Sequence, residues 1–341
     1  MQQQWVFLDP DPELQQQVAH FSQQWANNGV FEIKSSGTTG LPQLHRFNKA
    51  QLIHSAQASI DAFRLKTEST ALLCLPLTSV GGLMLLARSL VGSFGLLLQL
   101  PSSRPLQYLN QHIDFVAMVP TQLQQSLLHD RPKLQKCAKI LIGGGALPKP
   151  LIEACQAAKL EVWQSYGMTE TLSHVALRKI SPILEDAFTA LPGITFTSTA
   201  DCLTIHYPAL QAQALHTKDI ITLHSNTSFT WLGRADNAIN SGGQKIIPEL
   251  LEQTLSEHID TAFFITSLPD DKWGEIVAIV LEGTDKSVIS EFRTLGLSAA
   301  EMPKKYIFVP VFERTDTQKI RRQFILQSIN HADWRLSLIH I

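Results

Sequence analysis

Charge is scarce in this 341-residue chain: Asp, Glu, Lys and Arg make up 17% of it, and 30 acidic against 28 basic residues leave a formal net charge of −2. So balanced a field offers no basic footprint for nucleic acid. With 44% hydrophobic residues the chain is equally unlike a disordered one, which buries too little apolar surface to offset ordering entropy. Cysteine is sparse too. Cys74, Cys137, Cys155 and Cys202 stand far apart with no CxxC, which argues against zinc and predicts buried thiols in a reducing compartment. GxxxxGK[ST], HExxH and GxSxG are all missing, the third glycine of a GxGxxG starting in IGGGALP (142–148) falls on Pro148, and twelve histidines show no metal-ligand spacing.

Long uninterrupted hydrophobic runs are lacking as well. Gly81–Leu100 is about long enough to cross a bilayer, but Arg88 lies near its middle and Gly92 and Gly95 divide it. The stretch instead predicts a buried helix over Leu83–Val91 and a strand over Gly95–Leu100. The opening MQQQWVFLDP does not have the order of a signal peptide, so the expectation is a cytoplasmic protein without membrane insertion.

What is present is a β-α rhythm. ALLCLP (71–76), GLLLQL (95–100), FVAMVP (115–120), KILIGG (139–144) and EVWQSY (161–166) are brief apolar runs, as strands covered on both faces should be. Helical patterns lie between them at Thr121–Leu128, with Thr121 a candidate cap, and at Pro148–Lys159, with Pro148 in its first turn. This predicts an α/β fold with a doubly wound, mostly parallel sheet, binding its ligand at the carboxyl ends of the strands. From Leu191 the segments become shorter and mixed. Beyond WLGRADNAI (231–239) come two strand-like runs, TAFFIT (261–266) and EIVAIVLE (275–282), and a helix near Ser287–Leu295. The boundary is expected at 235/236, giving domains 1–235 and 236–341.

Three clusters carry chemistry. SSGTTGLP (35–42) concentrates hydroxyls and glycines, which suits phosphate oxygens, although a polar turn would look the same. YGMTE, Tyr166–Glu170, follows a strand: Glu170 suits Mg²⁺, Thr169 a phosphate and Tyr166 the flat face of a base, while an ordinary strand exit is the plainer reading. Asp219, followed by Gly233-Arg234-Ala235-Asp236, suits the paired hydroxyls of a ribose, or simply a surface ion pair.

Taken in order, these segments resemble the acyl-adenylate-forming superfamily of acyl- and aryl-CoA ligases, over about Ile33 to Arg322. SGGQKIIPELLE (241–252), SLPDDKWGE (267–275), MPKKYIFV (302–309) and RTDTQKIRR (314–322) are family-like too. The resemblance implies a large N-terminal domain and a small mobile α+β C-terminal domain. It implies ATP, Mg²⁺ and CoA: triphosphate on Ser36, Gly37, Thr38, Thr39 and Gly40 with Thr169, metal on Glu170, adenine against Tyr166, and ribose on Asp219 and Arg234. Lys319 would be the catalytic lysine, Asp236 the hinge, and Gly242–Gly243 the lining of the CoA channel. LPLTSVGGLMLLAR (75–88), VPTQL (119–123) and ILIGGGALP (140–148) resemble the ligases for 2-succinylbenzoate, which implies an aromatic acid bound by Arg88 near Ser79 and Gly144.

Departures from the family pattern accompany this. Gln43 and Gln318 replace a lysine and a glycine, Ser79 replaces a bulkier gate residue, and Lys218 stands inside the TGD-like motif, where it could supply the charge lost at position 43. The phosphate loop begins at Ser35, which implies a shortened N-terminal domain, whose bared surface a homodimer would shelter. Two alternatives remain: a CoA ligase for another aryl or medium-chain acid, and a catalytically silent adenylate-binding protein.

Overall fold

The computed structural model describes residues 5–34, 43–145, 147–284, 295–314, 320–330 and 333–336. In chain order they form β1 (Trp5–Phe7), α1 (Pro12–Ala26), β2 (Val30–Lys34), β3 (Leu44–Asn48), α2 (Lys49–Phe63), β4 (Thr70–Leu73), α3 (Val80–Gly92), β5 (Gly95–Leu98), β6 (Phe115–Met118), α4 (Pro120–His129), α5 (Arg131–Leu134), β7 (Ile140–Ile142), α6 (Lys149–Ala157) and β8 (Val162–Gly167). A 3₁₀ turn at Thr169–Thr171 leads to β9 (His174–Ser181), β10 (Phe188–Ala190), β11 (Thr195–Thr199), β12 (Cys202–His206), β13 (Leu215–Ser225) and β14 (Ser228–Arg234). The remainder is β15 (Ile239–Ser241), β16 (Gln244–Ile246), α7 (Pro248–Leu255), β17 (Phe263–Asp270), β18 (Gly274–Glu282), β19 (Lys305–Val309), α8 (Arg322–Ser328) and β20 (Arg335–Leu336). The helix expected near Ser287–Leu295 falls almost wholly outside the described residues.

Contacts divide the chain into two units: Met1–Phe196 with Ile205–Leu215 and His224–Phe229, and Thr197–Thr204 with His216–Leu223 and Thr230–Ile341. In the first, β1-β5-β4-β6-β7-β8 run parallel, as the apolar runs predict. The sheet then turns antiparallel through β9, β10 and β14, so it is mixed rather than parallel throughout. Of the other strands in that sheet's order, β13, β12 and β11, parts cluster with the second unit.

The hydrophobic run that resembles a membrane span folds as expected. α3 buries Met84, Leu85, Leu86 and Ala87, and β5 buries Leu96–Leu98. No helix among the described residues is long and apolar enough to cross a membrane. The Ser79 hydroxyl accepts from the Gly82 amide and donates to the Pro76 carbonyl, so this residue caps α3. A side chain at position 82 would meet the Pro76 carbonyl at 2.2 Å, so only glycine lets the helix start so near that loop. Thr121 is not the cap of α4. Pro120 occupies the first turn, having no N–H to leave unpaired, and Gln122 accepts from the Val119 amide at the cap position.

The second unit is built on β18, whose run Ile276–Leu281 is almost fully buried. Val277, Ile279 and Leu281 face a cluster with Leu251 and Leu255 of α7, while Val280 faces Phe264, Ile307 and Ile325. A strand covered on both faces reads as a continuous apolar run rather than an alternation, which is why EIVAIVLE looks as it does. All four cysteines are free. Burial pushes the Cys137 thiol up to about 12 and the Cys155 thiol to about 11, and raises Cys74 further, so none of the three is poised as a nucleophile.

Candidate active site

In the first unit, strand ends gather the expected residues. β4, β7 and β8 belong to the same parallel run, and Ser79, Gly144 and the Thr169–Glu170 turn follow their carboxyl ends. Ligands of such sheets bind there, because loops from neighbouring strands converge while the strands stay rigid. Gly144 adopts φ +86°, a conformation that costs other residues about 1–2 kcal/mol.

The turn after β8 is tightly specified. A Cβ on Gly167 would meet the Ser173 carbonyl at 2.3 Å and His174 Cα at 2.5 Å, so this glycine is required where β9 closes over β8. The Thr171 hydroxyl accepts from the Met168 amide and donates to the Ser173 carbonyl at 2.7 Å. Leu172, fully buried, holds a left-handed φ of 60°. Together these deliver Ser173 and His174 to fixed positions.

Tyr166 packs against Phe229 edge-on at 5.0 Å and against Phe188 at 5.7 Å, in a cluster that also holds Phe196. Its ring is thereby anchored as a wall. Glu170 is over a third exposed, with His45 Nε2 at 4.0 Å, and borders a cleft of about 260 Å³ lined also by Arg46, Phe47 and Gln51. No group of three or more metal-type ligands exists among the described residues. One accessible carboxylate suits a hard divalent ion whose other ligands are phosphate oxygens and water, so Mg²⁺ accompanying a nucleotide fits Glu170.

Arg88, on α3, is 2% exposed. Its Nη2 donates to Ser173 Oγ at 2.8 Å, its Nε has no partner, and no acid pairs with it among the described residues. Burial lowers its guanidinium to about 10. A structural ion pair, the plain reading of an arginine in an apolar helix, is absent among the described residues. A desolvated cation with a spare donor suits an anion brought by a ligand.

The second unit holds the other predicted cluster. Asp219, 6% exposed, accepts from Trp231 Nε1 at 3.1 Å and lies 3.8 Å from Arg234 Nη1. Arg234 grips Asp236 with two donors at 2.9 Å each, which holds the Asp236 carboxyl below the usual range. Lys218 Nζ lies 3.8 Å from Asp236 Oδ2. Gly242 and Gly243, with φ of 58° and 80°, form the two-residue turn joining β15 to β16. Gly242 lies under Trp273: a Cβ there would meet the ring at 2.4 Å. Arg314 and Ile320 are bridged, and Glu282 holds Arg314 with two bonds of 2.8 and 2.6 Å. Ser36, Gly37, Thr38, Thr39, Gly40 and Lys319 lie outside the described residues.

His45, Ser59, Ser173, His174, Trp231 and Trp273 escape sequence reasoning. Ser173 lies 85 residues from Arg88, and Ser59 lies 115 from His174, beyond any local pattern.

Comparison with known proteins gives the arrangement a context. The model of the family "AMP-binding enzyme" matches residues 7–199. A 2-succinylbenzoate–CoA ligase of Bacillus cereus (strain ATCC 10987) is 28% identical, over 87% of this chain and 69% of its own length. A probable 2-succinylbenzoate–CoA ligase of Mycobacterium tuberculosis is 30% identical, over 86% and 83%. Among solved structures, an acyl-CoA synthetase (AMP-forming)/AMP-acid ligase II-like protein from Dyadobacter fermentans superposes with TM-score 0.64 at 34% identity, over 93% of this chain and 95% of that one. The o-succinylbenzoate CoA synthetase of Bacillus subtilis, solved with an acyl-adenylate intermediate, reaches TM-score 0.77 at 24% identity over 86% and 68%, a likeness of fold.

Proposed function

The chain belongs to the family of AMP-binding enzymes, and on that premise we propose that it ligates an aromatic carboxylic acid, 2-succinylbenzoate, to CoA through an acyl-AMP. The observation that carries the choice of acid is Arg88: a buried guanidinium without an acid partner among the described residues, within the segment that resembles the succinylbenzoate ligases. Relatives bearing that activity in their names, at 28 and 30% identity, support the same reading.

In the first step a carboxylate oxygen of the acid attacks the α-phosphorus of ATP and pyrophosphate leaves. A carboxylate is a poor acyl donor because its leaving group would be oxide, and esterification to AMP supplies a stable one. The protein's part is alignment and charge neutralisation. Arg88 fixes the acid through its carboxylate side, with Ser79 and Gly144 bordering the passage. Tyr166 backs the adenine, Asp219 and Arg234 hold the ribose, and the 36–40 loop with Thr169 holds the phosphates. Glu170 would hold Mg²⁺, which would further neutralise the phosphate charge. Lys319 bridges the carboxylate and α-phosphate oxygens.

In the second step the CoA thiol attacks the acyl carbon, its proton is released and AMP leaves. Between the two steps the domain from Asp236 onward turns about that residue, withdrawing Lys319 and presenting Gly242–Gly243 to the pantetheine arm. ATP–pyrophosphate exchange across a panel of aryl and medium-chain acids tests the reading. Exchange stimulated by 2-succinylbenzoate is the expected outcome. Stimulation only by another acid replaces the substrate, and exchange with none favours a silent adenylate-binding protein.

A further inference from the structure

Behind Arg88 lies a buried row of hydrogen bonds that the proposed chemistry leaves unused. Arg88 Nη2 reaches Ser173 Oγ at 2.8 Å, Ser173 Oγ reaches His174 Nδ1 at 3.3 Å, His174 Nε2 reaches Ser59 Oγ at 3.1 Å, and Ser59 Oγ reaches the Ser55 carbonyl at 3.2 Å. Every member is buried: Ser173 and His174 are each 7% exposed, Ser55 3%, Arg88 2% and Ser59 fully enclosed.

Donor and acceptor counting points to the one assignment that keeps every bond of the row. A guanidinium only donates, so Ser173 Oγ accepts from Arg88 and its own hydrogen is left to give to His174. At the far end a carbonyl only accepts, so the Ser59 hydroxyl donates to Ser55 and its oxygen accepts from His174. The imidazole therefore accepts at Nδ1 and donates at Nε2, which is one neutral tautomer. A proton on Nδ1 would leave the Ser173 hydrogen without an acceptor in the row and would draw the Ser59 hydrogen away from the Ser55 carbonyl, and a second cation beside Arg88 would be repelled. The charged group facing His174 is Arg88, from α3; α2 presents Ser59 and, edge-on at 6.2 Å, the ring of Phe63. Burial and Arg88 together hold the imidazole well below its ordinary range, in agreement.

We infer that His174, held neutral with its hydrogen on Nε2, is a positioning residue that orients Ser173 and through it aims the Arg88 guanidinium, setting the affinity for the acid's carboxylate. Ser59 and Ser55 on α2 anchor the row. Unequal partnering of Arg88 makes this effective: Nη2 is pinned, while Nε is left unpartnered for an incoming oxygen.

The inference rests on Arg88 as the carboxylate holder, and the experiment separates the two. KM for 2-succinylbenzoate and for ATP is measured in the full-length enzyme with R88A, S173A, H174N and H174Q. Asparagine puts an amide oxygen near the place of Nδ1, whereas glutamine keeps only a donor near that of Nε2. S173A and H174Q are expected to raise the KM for the acid about tenfold, the usual scale for one hydrogen bond to a charged group, with KM for ATP and kcat little changed. H174N is expected to restore most of the affinity. If R88A raises the acid KM but S173A and H174Q leave it unchanged, Arg88 keeps its role and the row is overturned. If R88A itself leaves it unchanged, the reading of Arg88 falls and the row falls with it. Should the His174 variants not fold, ¹⁵N–¹H long-range correlation spectra of the wild-type enzyme decide: a neutral ring protonated at Nε2 from pH 5 to 8 upholds the inference, and a titrating ring or an Nδ1 proton overturns it.

Discussion

Two regions handle charge in opposite ways. Asp219 and Asp236 stand beside Arg234 and Lys218, and Arg234 holds the Asp236 carboxyl below its usual range. Arg88 sits deeper, with serine and histidine rather than a carboxylate behind it, and its guanidinium falls to about 10. Charges that neutralise one another stabilise the unit containing them. A charge neutralised by nothing nearby costs stability until a ligand arrives, and that cost separates a binding group from a structural one.

The comparison can be pushed to its limit with the lysine whose partner is the reaction itself. Lys319→Ala is expected to slow acyl-AMP formation on the order of 10²–10³-fold, the scale for losing one transition-state donor, while thioester formation from supplied acyl-AMP survives. Rapid-quench assays of the two half-reactions check it, and equal damage to both would contradict the role. Next in size is Arg88→Met, expected to raise the KM for the acid about a hundredfold, in line with roughly 2–5 kcal/mol for a buried charged contact. The same change should raise the melting temperature of the ligand-free protein, because an uncompensated charge is exchanged for an apolar chain. A fall in melting temperature would mean that Arg88 is structural.

Asp219→Ala should move stability the other way. Removing the acceptor of Trp231 and the neighbour of Arg234 is expected to cost about 1.5–3 kcal/mol by urea unfolding, and to raise the KM for ATP rather than for the acid. Gly242→Ala and Gly243→Ala divide turn from channel. Both carry the penalty of a positive φ, about 1–2 kcal/mol, but only at 242 does a methyl also strike Trp273. Thioester formation is therefore expected to suffer more at 242 if the turn's shape matters, and equally if only close approach to the pantetheine matters.

The smallest effect belongs to Asp236→Asn. A carboxyl whose folded value is depressed contributes stability that is present above its unfolded value and lost as pH falls through the folded one. In the wild type this contribution disappears below about pH 4, the ordinary aspartate range. The variant lacks it throughout, so its acid unfolding curve should be flatter there. Identical curves would mean that the Arg234 contact contributes nothing net.

Much of this was legible before any coordinates. β4, β5, β6, β7 and β8 fall on the apolar runs picked out for strands, because local hydrophobicity decides such elements. The antiparallel continuation through β9, β10 and β14 was not visible, since strand pairing depends on partners far away in sequence. Arg88 could be singled out as an arginine too apolar in its surroundings to lack an anion. Ser173, His174 and Ser59 could not, for hydroxyls and imidazoles carry no sign of what they will face.

The sequence by itself determined where the parallel strands lie and which charged side chain must be buried, because these follow from local hydrophobicity and the cost of desolvation. Only the tertiary structure decided that α2, α3 and β9 would meet around that arginine, and that no acid among the described residues would come with them. Those outcomes depend on groups up to 115 residues apart being brought within hydrogen-bond reach, and reach of that kind is a property of packing.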